Sequence, residues 1–310
     1  MKDVRLSQRH PVAELLLRAL MPLSGNHQAA RHIIDGKIMS HLHYTAHTTQ
    51  RRGAHHQAWQ TVTKVPKITA FFWIIKILTT GMGEATSDFL AHKYNPVLAG
   101  AIGFTALVVA LAIQFAVRRY STWAYWFAVS MVAVFGTMAA DGLHVELGVP
   151  YIVSTIFYAM VLAVIFIAWQ KSEGTLSIHS VYTRRREAFY WVTVMATFAM
   201  GTALGDLTAT TLGLGYLASG VMFIVLFLIP GIAYKLFHLN PVFAFWFAYI
   251  MTRPLGASFA DWLGVPKSLG GLGLGRGVVA LSSAALIVVL VAFVGLTHKD
   301  AQRNDTAAEI

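Results

Sequence analysis

An aromatic residue, a tryptophan, a glycine ten positions on and an aspartate five beyond that occur four times in this chain at unchanged spacing. The copies are Phe72-Trp73…Gly83…Asp88, Tyr125-Trp126…Gly136…Asp141, Tyr190-Trp191…Gly201…Asp206 and Phe245-Trp246…Gly256…Asp261. They use four of the eight tryptophans in 310 residues, which excludes coincidence. Any fold for this chain therefore has to be built from one unit used four times.

Lipid is the second constraint. Only 12% of the residues are charged, about half of what a soluble domain carries. Apolar runs at 97–117, 151–169, 217–232 and 278–296 approach the ~20 residues that cross a hydrocarbon core as a helix. The alternation of a membrane barrel is absent. The expected fold is all-α, a polytopic membrane helical bundle of eight spans. They fall near 67–90, 96–117, 122–143, 150–170, 187–210, 214–237, 241–263 and 276–297, one motif span and one plain span per repeat. Bases collect at alternate boundaries: Lys64 and Lys67, Arg118-Arg119, Lys171 with Arg184-Arg185-Arg186, Lys235, then Lys299 and Arg303. By the positive-inside rule this end and both termini are cytoplasmic. The net charge of +10 then reports topology, and nucleic acid is not expected as a partner.

Two spans per repeat return the chain to its starting side, so the four motif spans run parallel about an axis along the membrane normal. Repeats one and three share Thr-x-x-Met-Gly-x-Ala-x-x-Asp (79–88, 197–206), and repeats two and four share Trp-Phe-Ala and Leu-Gly-Val-Pro. The chain reads as a duplicated half, each half a duplicated hairpin. The divisions are a basic, His-rich arm at 1–66, a first half at 67–170, a basic linker at 171–186, a second half at 187–297 and a tail at 298–310. The arm holds eight of the thirteen histidines but no zinc-finger spacing, and it reads as disordered. No cysteine is present, which removes disulfides and thiolate metal sites.

The runs KVPKITAFFWIIKILTTGMGEATSDFL, TRRREAFYW and YIMTRPLGASFADWL resemble a bacterial family known as uncharacterised membrane-anchored proteins. The resemblance covers Lys64 to the last span and leaves out the arm. It implies a multi-pass protein of the bacterial inner membrane, without a settled activity.

The candidate site follows from the repeat. Fifteen residues from Trp to Asp is about 22 Å of helix, which sets the tryptophans toward the cytoplasmic end and the aspartates in the outer half. Four positions before each Asp stands Glu84, Thr137, Thr202 or Ala257, one turn earlier on the same face. Each span thus presents an oxygen-bearing stripe. An acid at bilayer depth costs ~2.5–3.5 kcal/mol and normally faces a cavity or a partner. Four in register point to a cation site of Asp88, Asp141, Asp206 and Asp261 with Glu84, Thr137 and Thr202, whose hard oxygens suit a divalent metal or Na⁺. The alternative is that each Asp ends or caps a helix at the outer interface. Glu84, four residues from Asp88, is the candidate for proton coupling, with Lys76 and Arg253 as its counter-ions or gates. His92 and His144 extend the site or are surface groups. The motif glycines read as close-packing sites, with a helix break at Pro254. The tryptophan pairs read as interfacial anchors, and the Gly-rich stretch 268–277 as a mobile outer loop.

These residues point to a secondary transporter of an inorganic cation, in its sharpest form a proton-coupled exporter of a divalent metal. The alternative is a membrane scaffold with structural aspartates. No enzyme is expected, because the spans hold no nucleophile–base or His-Glu-x-x-His arrangement. The expected partners are the bilayer and the cation. A homo-oligomer is left open, and no cofactor is expected beyond a bound divalent cation or Na⁺.

Overall fold

The computed structural model describes residues 63–300, and among them all regular structure is helical. Eight long helices follow one another: α1 Ala70–Lys93, α2 Pro96–Ala116, α3 Thr122–Asp141, α4 Tyr151–Glu173, α5 Arg184–Asp206, α6 Gly215–Phe237, α7 Pro241–Gly264 and α8 Arg276–Thr297. Local sequence sets their ends. Asn95 and Asn240 accept from the first-turn amides ahead of Pro96 and Pro241, pairing an N-cap with a proline that has no amide to lose. Thr69 and Thr183 cap α1 and α5 through Phe72 N and Arg186 N. After Asp141 and again after Asp206 the helix widens into one π turn, Gly142–Glu146 and Leu207–Thr211.

The four motif helices form an inner ring in the order α1, α3, α5, α7 and back to α1. The plain helices lie outside it. Each of them packs chiefly on the motif helix of the following repeat: α2 on α3, α4 on α5, α6 on α7, and α8 on α1. The last contact closes the circle between the two ends of the chain. A repeat is therefore no self-contained hairpin. Its outer helix buries the next repeat's inner one, so no copy has a complete core alone.

Six helices, α2, α3, α4, α5, α6 and α8, are long and apolar enough to cross a membrane. Only 17% of the apolar window of α4 is buried, against 72% in α5, and the outer helices turn Val97, Phe104, Ile156, Val164, Leu228 and Val289 outward. Helices α1 and α7 are not among the six. They carry Lys76, Glu84, Asp88 and Lys93, and Arg253 and Asp261, on elements screened by the outer ring.

The expected arm falls mostly outside the described residues, as does the tail beyond 300. Where the arm meets the body it is packed: Thr63 to Pro66 are buried, and Lys64 Nζ lies 2.6 Å from Glu187. The stretch 268–277 is pinned, contrary to the mobile loop its glycines suggest. Leu272, Gly273 and Leu274 donate to carbonyls of Trp262, Val265 and Leu263 at 2.6–3.0 Å. Gly270, Gly273 and Gly275 take positive φ, which is what glycine permits there.

Candidate cation site

The ring has layers, and each layer is one position of the motif. At the tryptophan end, the aromatic residue of one repeat packs on the Trp of the next. Phe72 meets Trp126 at 5.6 Å between ring centroids, Tyr125 meets Trp191 at 5.7 Å, Tyr190 meets Trp246 at 6.2 Å, and Phe245 returns to Trp73 at 5.7 Å. Trp126, Trp191 and Trp246 are buried and Trp73 partly so. The expectation of interfacial anchors is therefore corrected: the pairs form a closed aromatic plug across the bundle. Sequence spacing placed them near a membrane surface, but the large apolar area of such rings is also what joins four helices in a closed circle.

One turn toward the Asp end, three residues beyond each Trp, stand Lys76, Val129, Val194 and Tyr249. Lys76 is buried between two rings, its ammonium 4.0 Å from the Phe198 centroid and 4.3 Å from that of Tyr249. This is a desolvated cation–π contact.

The glycine layer follows. Each motif Gly faces the residue three before the Gly of the next repeat. A Cβ on Gly83 would stand 2.5 Å from Ala133, on Gly136 2.7 Å from Phe198, and on Gly201 2.5 Å from Arg253. On Gly256 it would stand 2.7 Å from the Ile77 carbonyl, against Thr80. These glycines let neighbouring helices touch. The helix break expected at Pro254 does not occur: α7 runs on to Gly264, with Pro254 seated against the glycine face of Gly201 and Gly205. Neighbouring helices let a helix continue through a proline that would break it alone.

At this level the four-fold pattern gives way to chemistry. Arg253 enters the centre of the ring. Its Nη2 donates to Glu84, to Thr137 Oγ1 at 2.5 Å and to Thr202 Oγ1 at 2.6 Å. Arg253, Thr137 and Thr202 are at most 1% exposed and Glu84 is 4% exposed. The three acceptors are the residues that stand four positions before an Asp. The fourth such position is Ala257, on the same helix as Arg253, and its methyl leaves the axis free for the guanidinium. Nε and Nη1 of Arg253 are buried without a hydrogen-bond partner among the described residues.

Beyond Arg253 lie the carboxylates. Glu84, Asp206 and Asp261 each bring a ligand oxygen within 4.8 Å of the other two, the spacing of groups that share a cation. No side chain among the described residues donates to Asp206 or Asp261. Two of the four motif aspartates stand apart. Asp88 accepts from Arg276 Nε at 2.7 Å, a base at the start of α8 that is 188 residues away and that spacing alone does not associate with it. Asp141 is outside the group of close oxygens. The ligand set drawn from the sequence is thus redistributed: Asp206 and Asp261 meet, Glu84 takes a third place, Asp88 is held by a base, and Asp141 flanks. Thr137 and Thr202 turn their hydroxyls to Arg253 and to their own helix carbonyls. Neither histidine joins. His92 Nδ1 is 2.8 Å from the Asp88 carbonyl oxygen, and His144 packs on Tyr151 with Nδ1 3.0 Å from the Val149 carbonyl oxygen.

With every group ionised, Glu84, Asp88, Asp141, Asp206 and Asp261 outnumber Lys76, Arg253 and Arg276 by two negative charges. Hard oxygens at this spacing suit a divalent cation.

Fold and site together define a four-repeat helical bundle, jacketed by apolar helices and carrying a polar axis sealed at one end by aromatic rings. Residues 71–120, 124–175, 189–238 and 244–300 each match the family model described as a repeat of unknown function, DUF347, and the chain belongs to that family. No curated protein and no solved structure matches it.

Proposed function

We propose that this protein is a secondary transporter of an inorganic cation, coupled to protons, which binds a divalent ion between Glu84, Asp206 and Asp261. The observation that carries the reading is the meeting of three carboxylates from three different repeats next to a buried Arg253. A scaffold has no need to place two undonated carboxylates beside a third on the axis, since like charges that close repel. The excess of two negative charges supports a divalent ion or two protons as alternative occupants, which is the exchange an antiporter performs.

In this reading all eight helices span the inner membrane, α1 and α7 inside the jacket. Both ends of the chain are cytoplasmic, on the strength of the bases gathered at the tryptophan end. In this reading the plug and the buried Lys64–Glu187 pair close the cytoplasmic side. Arg253 acts as a tethered cation: it neutralises Glu84 when the site is empty and yields it to an incoming ion. Export of a divalent metal is the form of the reading carried forward. Import, and Na⁺ as substrate, use the same ligands.

The test is a thermal-shift titration of the purified, metal-free protein with Mn²⁺, Mg²⁺, Ca²⁺, Zn²⁺ and Na⁺. A ligand that binds the folded state raises Tm by mass action. The expected result is a rise with at least one divalent ion that Asp206→Asn and Asp261→Asn abolish. A wild-type Tm indifferent to all five ions returns the protein to the scaffold reading.

A further inference from the structure

Repeats two and three keep one spacing beyond the motif Asp, and at one position they differ sharply in size. Phe166 stands 25 residues after Asp141, and Gly231 stands 25 residues after Asp206. Both lie on the outer helix of their repeat, α4 and α6. Phe166 packs on Trp246 at 5.2 Å between ring centroids, and Trp169 adds a second ring to it at 5.8 Å. Trp246 belongs to the repeat two steps further round the circle. Two steps on from repeat three is repeat one, so the matching cover over Trp73 falls to Gly231 and Tyr234. Glycine supplies no ring, and a Cβ on Gly231 would meet nothing within 4 Å. In place of the ring is a cavity of about 260 Å³ bounded by Trp73, Phe227, Gly231 and Tyr234. Trp73 is also the one motif Trp that stays partly exposed.

A second chamber of about 420 Å³ shares Ile68, Tyr234, Pro241 and Phe245 with the first and reaches His179 at the base-rich end. Together they have the size of a small-molecule site. Among the described residues no Asp or Glu lines either chamber. Lys235 comes four residues after Gly231, one turn on along the same face of α6, and Lys67 precedes Ile68. Both lysines are exposed, and among the described residues no carboxylate pairs with either. The cleft is thus apolar between the jacket helices and flanked by positive charge at its mouth.

We infer that this cleft binds one anionic phospholipid, with an acyl chain against Trp73 in the place of the missing ring and the phosphate at the mouth beside Lys235, Lys67 and His179. An empty void forfeits the contacts of its lining, and mostly apolar walls hold water poorly. An acyl chain restores those contacts and covers the least buried Trp of the plug. Basic pockets between spans on the cytoplasmic side recognise anionic headgroups. The choice of leaflet rests on the topology read above, whereas the site itself needs neither a cation nor a proton.

Native mass spectrometry of the full chain, released from detergent after incubation with dioleoyl-phosphatidylglycerol or dioleoyl-phosphatidylcholine, counts the lipids retained. Wild type is expected to keep one phosphatidylglycerol under conditions that strip phosphatidylcholine, whose chains are identical. Gly231→Phe installs the ring of repeat two and is expected to lose that lipid while keeping the Mn²⁺-dependent rise in Tm. Lys235→Gln is expected to hold it about fivefold more weakly, the share of one base near a membrane surface. Equal retention of the two lipids by wild type overturns the site, and so does phosphatidylglycerol held by Gly231→Phe as tightly as by wild type. Should Gly231→Phe not fold, Gly231→Leu fills the same space and carries the same test. A protein that keeps this lipid and ignores every metal ion sinks the transporter reading alone. One that binds Mn²⁺ and keeps no phosphatidylglycerol sinks the lipid site alone.

Discussion

The tryptophan end and the aspartate end of the ring are built from the same motif and have opposite characters. At the tryptophan end all four copies do one thing: each aromatic residue rests on the next Trp, and the circle closes with near-equal spacings. At the aspartate end the copies diverge. Asp88 pairs with Arg276, Asp141 flanks, and Asp206 and Asp261 meet Glu84. Between them stand two layers in which the equivalent residues are Lys76, Val129, Val194 and Tyr249, then Thr80, Ala133, Phe198 and Arg253. Where the repeats agree, the residues hold helices together. Where they disagree, buried charges appear. Duplication supplies the scaffold, and the departures from it supply the chemistry.

The contrast is sharpest at Arg253. Removing one partner of a buried pair leaves an uncompensated charge, so Arg253→Met is expected to cost about 3–5 kcal/mol, read by thermal or denaturant unfolding in detergent. Arg253→Met with Glu84→Gln should recover a large part of that loss. A single variant as stable as wild type makes the asymmetric centre dispensable and breaks the comparison. The symmetric layer gives a smaller and more even response. Gly83→Ala and Gly256→Ala each force a methyl into a neighbouring helix and are expected to cost about 1–3 kcal/mol. Their costs should agree within about 1 kcal/mol, and a wide disparity means that the glycine ring is not one repeated contact. The smallest effect is at the outlying aspartate. The Arg276–Asp88 pair is partly open to solvent, so Asp88→Asn should cost no more than about 1 kcal/mol. It should also keep the cation-dependent rise in Tm that Asp206→Asn loses.

Much of this was legible in the residues, because repetition converts one motif into a symmetry. Four Trp–Gly–Asp copies give four parallel helices, and the residues four before each Asp give a shared stripe on which Glu84 and Arg253 meet. The helix order and the helical class follow from the apolar runs. Other features lie beyond what spacing reveals. That each outer helix covers the next repeat's inner helix is a property of the closed circle, invisible in any one copy. A Trp near a span end has the same local pattern whether it faces lipid or a neighbouring ring, so burial of the pairs emerges only with the partner helices in place. Pro254 looks like a break until Gly201 and Gly205 supply the surface that supports it. The Asp88–Arg276 pair joins residues that share no motif. Tyr125 and Tyr190 fill the ring as Phe72 and Phe245 do, so spacing alone does not set them apart, although the four copies read Phe, Tyr, Tyr, Phe at this position.

One measurement bears most directly on the claim that the broken end of the ring is a cation site: anomalous diffraction from crystals of the protein grown with Mn²⁺. The account predicts a single strong peak among Glu84, Asp206 and Asp261, within about 2.0–2.6 Å of an oxygen from each, lost in Asp206→Asn. A peak bound only at Asp88, Asp141 or the base-rich end, or none at saturating Mn²⁺, contradicts it.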